Sequence, residues 1–474
     1  MKTLKRISAL LLAVLLMASF SITAFAGEYD IGAGSVTVNA TTDTQTVTHG
    51  SNAPVSDSTP VITGTSTSNT VTINADSGAT ANVTLKDVNI SSSDNAAVST
   101  SGAGNVTIEL DGNNKVQSGD YHAGVEKGNS VSLTITDSNN NGSLDATGGR
   151  NGAGIGGGNG SDGTNIIIDG GTINATGYAG AGIGGGHNGN ANNITINNGT
   201  VNATDSHGGA GIGGGNDGSA SNITINNGTV SAAGGIFGAG IGGGAGGRSD
   251  GNASNIAING GTVYAAGGGL GAGIGGNDTG GGGGTASNIT VSGEATVHVA
   301  GGKGSILSKN FSDGAAIGSG GYYEPGVEIE QDPSKLTTGS ISYYPAGTTV
   351  EQMKNGDVDP VRIVEPLKPD PQPDPVDPDP PKPEPKPTPV GPVAAVTYKL
   401  KFDLGGGVMP DGKTELELKC SAGQKITLPE APTREGFTFV GWETTIRGNT
   451  VILDAGAKFT VTAAKTFVAL WEEN

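Results

Sequence analysis

The heptapeptide Gly-Ala-Gly-Ile-Gly-Gly-Gly starts at Gly152 and returns unchanged at Gly180, Gly209 and Gly238, then in altered form around Ile274 and Ile317. Its isoleucines, Ile155, Ile183, Ile212 and Ile241, are spaced by 28, 29 and 29 residues. A fixed period of this length means a stack of identical small units, none with enough apolar surface to fold alone. This repeat constrains the fold more than any other feature of the chain.

Each heptapeptide is followed by a pair of strand-like runs that alternate with period two, such as Asn-Ile-Thr-Ile-Asn-Asn-Gly-Thr-Val-Asn-Ala from Asn193. Superposed copies put Ile166, Ile194, Ile223, Ile256 and Ile289 in one column. Ile168, Ile196, Ile225, Ile258 and Val291 form a second, and Ile173, Val201, Val230, Val263 and Val297 a third. Stacking buries these columns, so the expected fold is an all-β solenoid. More closely, it is a parallel β-helix with three short strands per coil and a rise of about 4.8 Å. The runs beginning at Asn69, Ala81, Asn105 and Ser130 alternate less regularly and are read as its first coils. The turn column Asp169, Asn197, Asn226, Asn259 and Ser292 is expected to hydrogen-bond along the axis.

The heptapeptide glycines admit two readings. With Ala153 and Ile155 inward, Gly154 and Gly156 would face out, and Gly154, Gly182, Gly211, Gly240 and Gly273 would form a bare strip for a chain-like ligand. The alternative is that they serve tight corners and close coil packing.

Four regions follow from composition. Residues 1–26 combine a basic start, an apolar run from Ile7 to Phe20 and Ala24-Phe25-Ala26, which reads as a secretory signal peptide cleaved before Gly27. No later segment suits a membrane span, so the mature protein is expected to be secreted, extracellular or attached to a cell surface. Residues 27–364 hold the repeats. Residues 365–392 carry 13 of the 22 prolines and form a semi-rigid spacer reaching up to roughly 85 Å. Residues 393–474 form a small separate module. The single cysteine, Cys420, excludes an internal disulfide, and 44 acidic against 25 basic side chains argue against nucleic acid as a partner.

Site candidates lie on the outward positions of the third strand. Asn174, Asn202, Tyr264 and His298 could bind carbohydrate, with Ser231 in the same column and threonines beside them; the tyrosine would stack on a sugar ring and the amides would meet its hydroxyls. Asp137, Asn139, Asn141 and Asp145 echo the alternating oxygen ligands of a calcium loop, with Gly148 where such a loop has its glutamate. A polar turn explains them equally well. Catalysis is not expected: the repeats hold no paired carboxylates, Arg150 and Arg248 are the only arginines between Gly27 and Pro360, and the histidines share no metal spacing.

The run Asn105–Gly112, the stretch Ser132–Gly149 and the heptapeptide series resemble a family of secreted bacterial carbohydrate-binding β-helix proteins. That resemblance implies a polysaccharide ligand, acidic in some members, with calcium. Tyr398–Gly407, Ala431–Thr444 with its Gly441-Trp442 pair, and Phe467–Asn474 are similar to the Listeria-Bacteroides repeat, or internalin B-repeat. This implies a small β-grasp module found on surface and secreted proteins, contacting the cell envelope or a neighbour. Phe402, Phe437, Phe439, Trp442 and Trp471 are expected to form its core, and Pro432–Gly436 a turn. No Leu-Pro-x-Thr-Gly signal follows, so covalent wall attachment is not expected. The leading expectation is a non-enzymatic carbohydrate-binding protein, the alternative a structural or adhesive protein with a protein partner, and a polysaccharide lyase the least favoured.

Overall fold

The isoleucine and valine columns lie on the inner faces of three long sheets. The computed structural model describes residues 26–128, 131–244, 251–277, 284–304, 312–321, 327–331, 333–366, 397–410, 412–414, 416–421, 425–446, 449–460 and 465–473. Residues 1–25, which hold nearly all of the expected signal peptide, and the Pro-rich run from residue 367 lie outside them. Among the described residues no helix is long and apolar enough to cross a membrane.

The chain divides into two compact units, Met1–Gln372 and Pro373–Asn474. The first is a parallel β-solenoid of about nine turns, with sheets of 10, 12 and 11 strands among the described residues. One coil comprises a first-sheet strand (Ala191–Ile196), a third-sheet strand (Thr200–Asp205) and a two-residue second-sheet strand (Ile212–Gly213). Register is kept residue for residue: Ile194 pairs with Ile223, Val201 with Val230 and Ile212 with Ile241. All five members of the Ile173 column are fully buried, as is each heptapeptide isoleucine from Ile155 to Ile317. Each such side chain contributes about 1.5–3 kcal/mol through burial, repeated once per column per coil.

The glycines of the heptapeptide face the neighbouring coil, not solvent. Gly156, Gly184, Gly213, Gly242, Gly275 and Gly318 have φ between 139° and 151°, which side chains disfavour. A Cβ at any of the first five would stand 1.9–2.0 Å from the carbonyl oxygen of the equivalent glycine one coil on. Gly154 is buried too, and a Cβ there would be 2.6 Å from both Gly182 O and Thr176 N. The bare outward strip therefore does not exist, and corner geometry with close coil packing accounts for the motif.

Amide ladders run along the corners. Asn197, Asn226 and Asn259 each donate Nδ2 to the Oδ1 one coil back, at 2.6, 2.8 and 2.9 Å, beginning on Asp169. A second asparagine column, Asn165, Asn193, Asn222, Asn255 and Asn288, occupies the left-handed region with φ of 54–57°. Asparagine tolerates that conformation better than other side-chain-bearing residues, so these positions serve the backbone as well as the ladder.

A solenoid must cover the open strands at its two ends. At the start, Gln45–His49 pairs antiparallel to Val36–Ala40. At the far end, Arg362–Val364 closes the third sheet as an antiparallel strand on Ser340–Tyr343. Buried Gln331 accepts from Val291 N (3.0 Å) and donates to Ile289 O (3.2 Å), replacing the missing next strand of the first sheet. Glu328 accepts the Ala316 and Ile317 amides of the second sheet, and burial pushes its carboxyl upward despite those bonds. The helix Val350–Asn355, with a capping box between Thr349 and Gln352, lies against the last coils. Its Met353 is packed with Ala266, Ala300 and Tyr344.

The second unit is all β among its described residues. Its five-stranded sheet places Thr397–Asp403 beside the parallel Lys465–Glu473, with antiparallel Leu416–Ser421 and Phe437–Ile446 outside them and Asn449–Leu453 at the far edge. Trp442 and Phe467 are fully buried and Phe402 nearly so, while Phe439 and Trp471 pack at the margin. Phe437 departs from the expected core: it is half-buried under the Arg434 guanidinium, 3.9 Å from its ring centre, and Phe459 and Phe467 take the interior instead. Cys420 is free and buried.

Candidate functional site

The outer face of the third sheet carries three side-chain columns. The middle one runs Lys115, Asp145, Asn174, Asn202, Ser231, Tyr264 and His298, one residue per coil. Inward-pointing Leu144, Ile173, Val201 and Val230 anchor the alternate positions, so strand alternation alone presents this column.

Its polar half forms a hydrogen-bonded series. Asn174 Nδ2 donates to Asp145 Oδ1 at 2.6 Å, Asn202 Nδ2 donates to Asn174 Oδ1 at 2.8 Å, and Lys354 Nζ reaches Asn202 Oδ1 at 3.5 Å. The series orients both amides, each with a second N–H in hand. Exposed Thr172 and Thr200 flank it on one side, exposed Thr176 and Thr204 on the other.

The aromatic half is covered. Tyr264 stacks on His298 with centroids 4.6 Å apart and planes 10° from parallel; the Tyr344 hydroxyl contacts His298 Nδ1 at 3.0 Å. Met353 and Val350 pack over this end, with the Lys354 ammonium 5.7 Å from the Tyr264 ring centre. Burial lowers the His298 pKa. Tyr264 and His298 are thus half-buried packing for the last coils rather than an open sugar platform. The sequence pattern missed this because the covering helix is more than 50 residues further along the chain.

Between helix and sheet lies a cleft of about 400 Å³, lined by Asn202, Thr204, Ser231, Thr349, Glu351 and Lys354 among others. Its size is that of a small-molecule site. Ser231 is 5% exposed and its Oγ has no hydrogen-bond partner. An unsatisfied buried hydroxyl is uncommon enough to require an explanation.

Of the calcium candidates, Asp137, Asn139 and Asn141 share one turn, whereas Asp145 stands on the third-sheet face beneath Asn174. Asp137 Oδ1 and Asn139 Oδ1 both accept the Asn141 amide at 3.2 Å, and the Asn141 side chain donates to Asp111 Oδ1 one coil back at 3.0 Å. That bond is the main reason the Asp111 carboxyl titrates below its ordinary range, with Lys86 adding to it. The turn stacks on its neighbour as the asparagine ladders do. Among the described residues no three His, Cys, Asp or Glu side chains gather in a way that could hold a metal ion.

A separate polar cluster occupies a corner between the third and second sheets. Asp205 Oδ2 accepts the His207 and Gly209 amides, each at 2.9 Å, and His207 stacks against Tyr178 at 5.7 Å. Burial pushes the Asp205 carboxyl up from 3.8 to about 7, more than those amides draw it down. With a folded pKa above the unfolded one, its stabilising contribution is complete below about pH 4 and is lost as pH rises through about 7. Asp205→Asn keeps the acceptor oxygen without the charge. Relative to the variant, the wild-type solenoid should lose up to about 4 kcal/mol between pH 4 and 8, read from denaturation midpoints; parallel pH profiles would contradict this.

Five segments, 140–159, 166–187, 194–216, 223–245 and 256–278, match the Beta helix repeat, and residues 398–470 match the Listeria-Bacteroides repeat domain. Both kinds of module are typical of extracellular or surface proteins. No curated protein and no solved structure matches the chain.

Proposed function

We propose that this is a secreted or surface-displayed polysaccharide-binding protein that does not cleave its ligand. The observation that supports this most is the third-sheet face, where the oriented amides of Asn174 and Asn202, flanked by exposed threonines, lead into the cleft beside Lys354. Fixed amides and hydroxyls on a rigid wall suit sugar hydroxyls, because little side-chain entropy remains to be lost on binding. In this reading the C-terminal module contacts the cell envelope or a neighbouring molecule. Calcium belongs to the proposal as an ion bridging Asp137, Asn139 and Asn141, or the separate Asp145, to an acidic glycan.

The test is retention of the full secreted chain on a panel of insoluble and soluble polysaccharides, polygalacturonate included, with calcium and then with chelator. Retention without release of ultraviolet-absorbing unsaturated product or new reducing ends is the expected result. Loss of retention with chelator would assign calcium a part in binding. Product release would replace the proposal with a lyase or hydrolase.

A second reading, adhesion to a protein partner, is favoured by Val440, Ile452 and Val468, exposed by 42, 50 and 38% on the C-terminal sheet. No retention on any glycan would leave this reading in place of the first.

A further inference from the structure

Resting on the polysaccharide reading above, we propose that the third-sheet face holds the end of a glycan chain rather than its middle. The face is open only on one side. Toward the N-terminal coils, Lys115, Gln117 and Asp145 are exposed and nothing among the described residues crosses them. Toward the C-terminal coils, the helix Val350–Asn355 crosses the same face, and Val350 and Met353 pack where a continuing chain would have to pass over Tyr264. A glycan lying along the Asn174–Asn202 series therefore runs into a wall one coil later.

The wall is built as a receptor. The cleft at that point holds the ammonium of Lys354, the carboxylate of Glu351, the hydroxyl of Thr204 and the amide of Asn202. Ser231 supplies a hydroxyl that is buried and unpartnered without ligand. A chain terminus carries one more free hydroxyl than an internal sugar, and a deep donor-acceptor group that reaches only the last ring gives selectivity for it. Ser231 is such a group, being the last polar member of its column before the covered aromatic pair.

The experiment uses polygalacturonate, or the homopolymer retained most strongly in the panel, cut to several mean lengths and presented at equal mass. Binding sites per gram should rise in proportion to chain ends, and oligomers of a few sugars should compete as well as the polymer when both are counted as ends. Treating the chains with borohydride distinguishes the two termini, since it alters only the reducing one. Ser231→Ala should weaken end binding about five- to tenfold and leave the melting temperature no lower, because the hydroxyl it removes is buried without a partner in the free protein. Site number proportional to mass, independent of length, would overturn the chain-end inference while leaving polysaccharide binding intact. Absence of retention on every glycan would remove both.

Discussion

Gly213→Ala is expected to disrupt the central coils of the solenoid, at a cost of about 4–5 kcal/mol or more and a fall of roughly 6 °C or more in the solenoid's melting transition. Two costs combine. The φ of 143° is unfavourable for alanine, and the new Cβ would stand 1.9 Å from the Gly242 carbonyl oxygen. Relief would require separating two coils whose backbones are hydrogen-bonded on three sides, so the strain has no local outlet. Gly160→Ala is the control: its φ of 75° is also positive, but a Cβ there meets nothing within 4 Å, and the expected cost is about 1 kcal/mol. Thermal denaturation of both variants by circular dichroism measures the difference. Equal effects would mean that backbone conformation alone, without coil contact, explains the motif.

Trp442→Ala should unfold the C-terminal module at 37 °C and leave the solenoid transition where it is. The indole is fully buried, edge-on to Phe402 at 5.1 Å and Phe439 at 5.2 Å, and its Nε1 donates to Pro429 O at 3.1 Å. Removing a buried tryptophan costs about 3–5 kcal/mol. A domain of this length has a total stability of roughly 4–12 kcal/mol, so the loss takes most of what holds it. Trp442→Phe keeps a ring but strands the Pro429 carbonyl, for an intermediate loss of about 1–3 kcal/mol. Tryptophan fluorescence and protease sensitivity of residues beyond 397 read the module, and far-ultraviolet circular dichroism reads the solenoid. A shift in the solenoid transition with Trp442→Ala would contradict its independence.

The periodic part of the fold was open to reading because it is repeated. One alternation observed five times fixed the Ile166, Ile168 and Ile173 columns, and the Asp169–Asn197 ladder followed from the same register. Extending the alternation to Gly154 and Gly156 turns them outward, which the structure contradicts, while the corner reading of the same glycines holds. The second-sheet strand is two residues long, and the positive φ of Gly156 and its equivalents breaks the alternation that would have turned them outward. The end caps occur once each, so Gln331, Glu328 and the strand Gln45–His49 had no column to announce them. The helix did carry a signal, Thr349 followed by Gln352 three residues on, which is the pattern of a capping box.

For the site, the Asn174–Asn202 series could be anticipated from the column, but its meeting with Lys354 could not. That contact spans 152 residues of chain. The same fold-back hides Tyr264 and His298, which the one-dimensional pattern presented as outward and free. Repetition thus determines a wall, while what lies across the wall depends on the unrepeated segment after it.

The most direct test of glycan binding at the third-sheet face compares two threonine variants. Thr204 is exposed beside Asn202 and lines the cleft, whereas Thr195 points outward from the first sheet of the same coil. Arginine at either position adds a long side chain outside the core, so the two variants should match in stability. Dissociation constants for the glycan retained in the panel should rise at least tenfold for Thr204→Arg and stay within about twofold of wild type for Thr195→Arg. Unchanged affinity with Thr204→Arg, or an equal loss with Thr195→Arg, would contradict binding at this face.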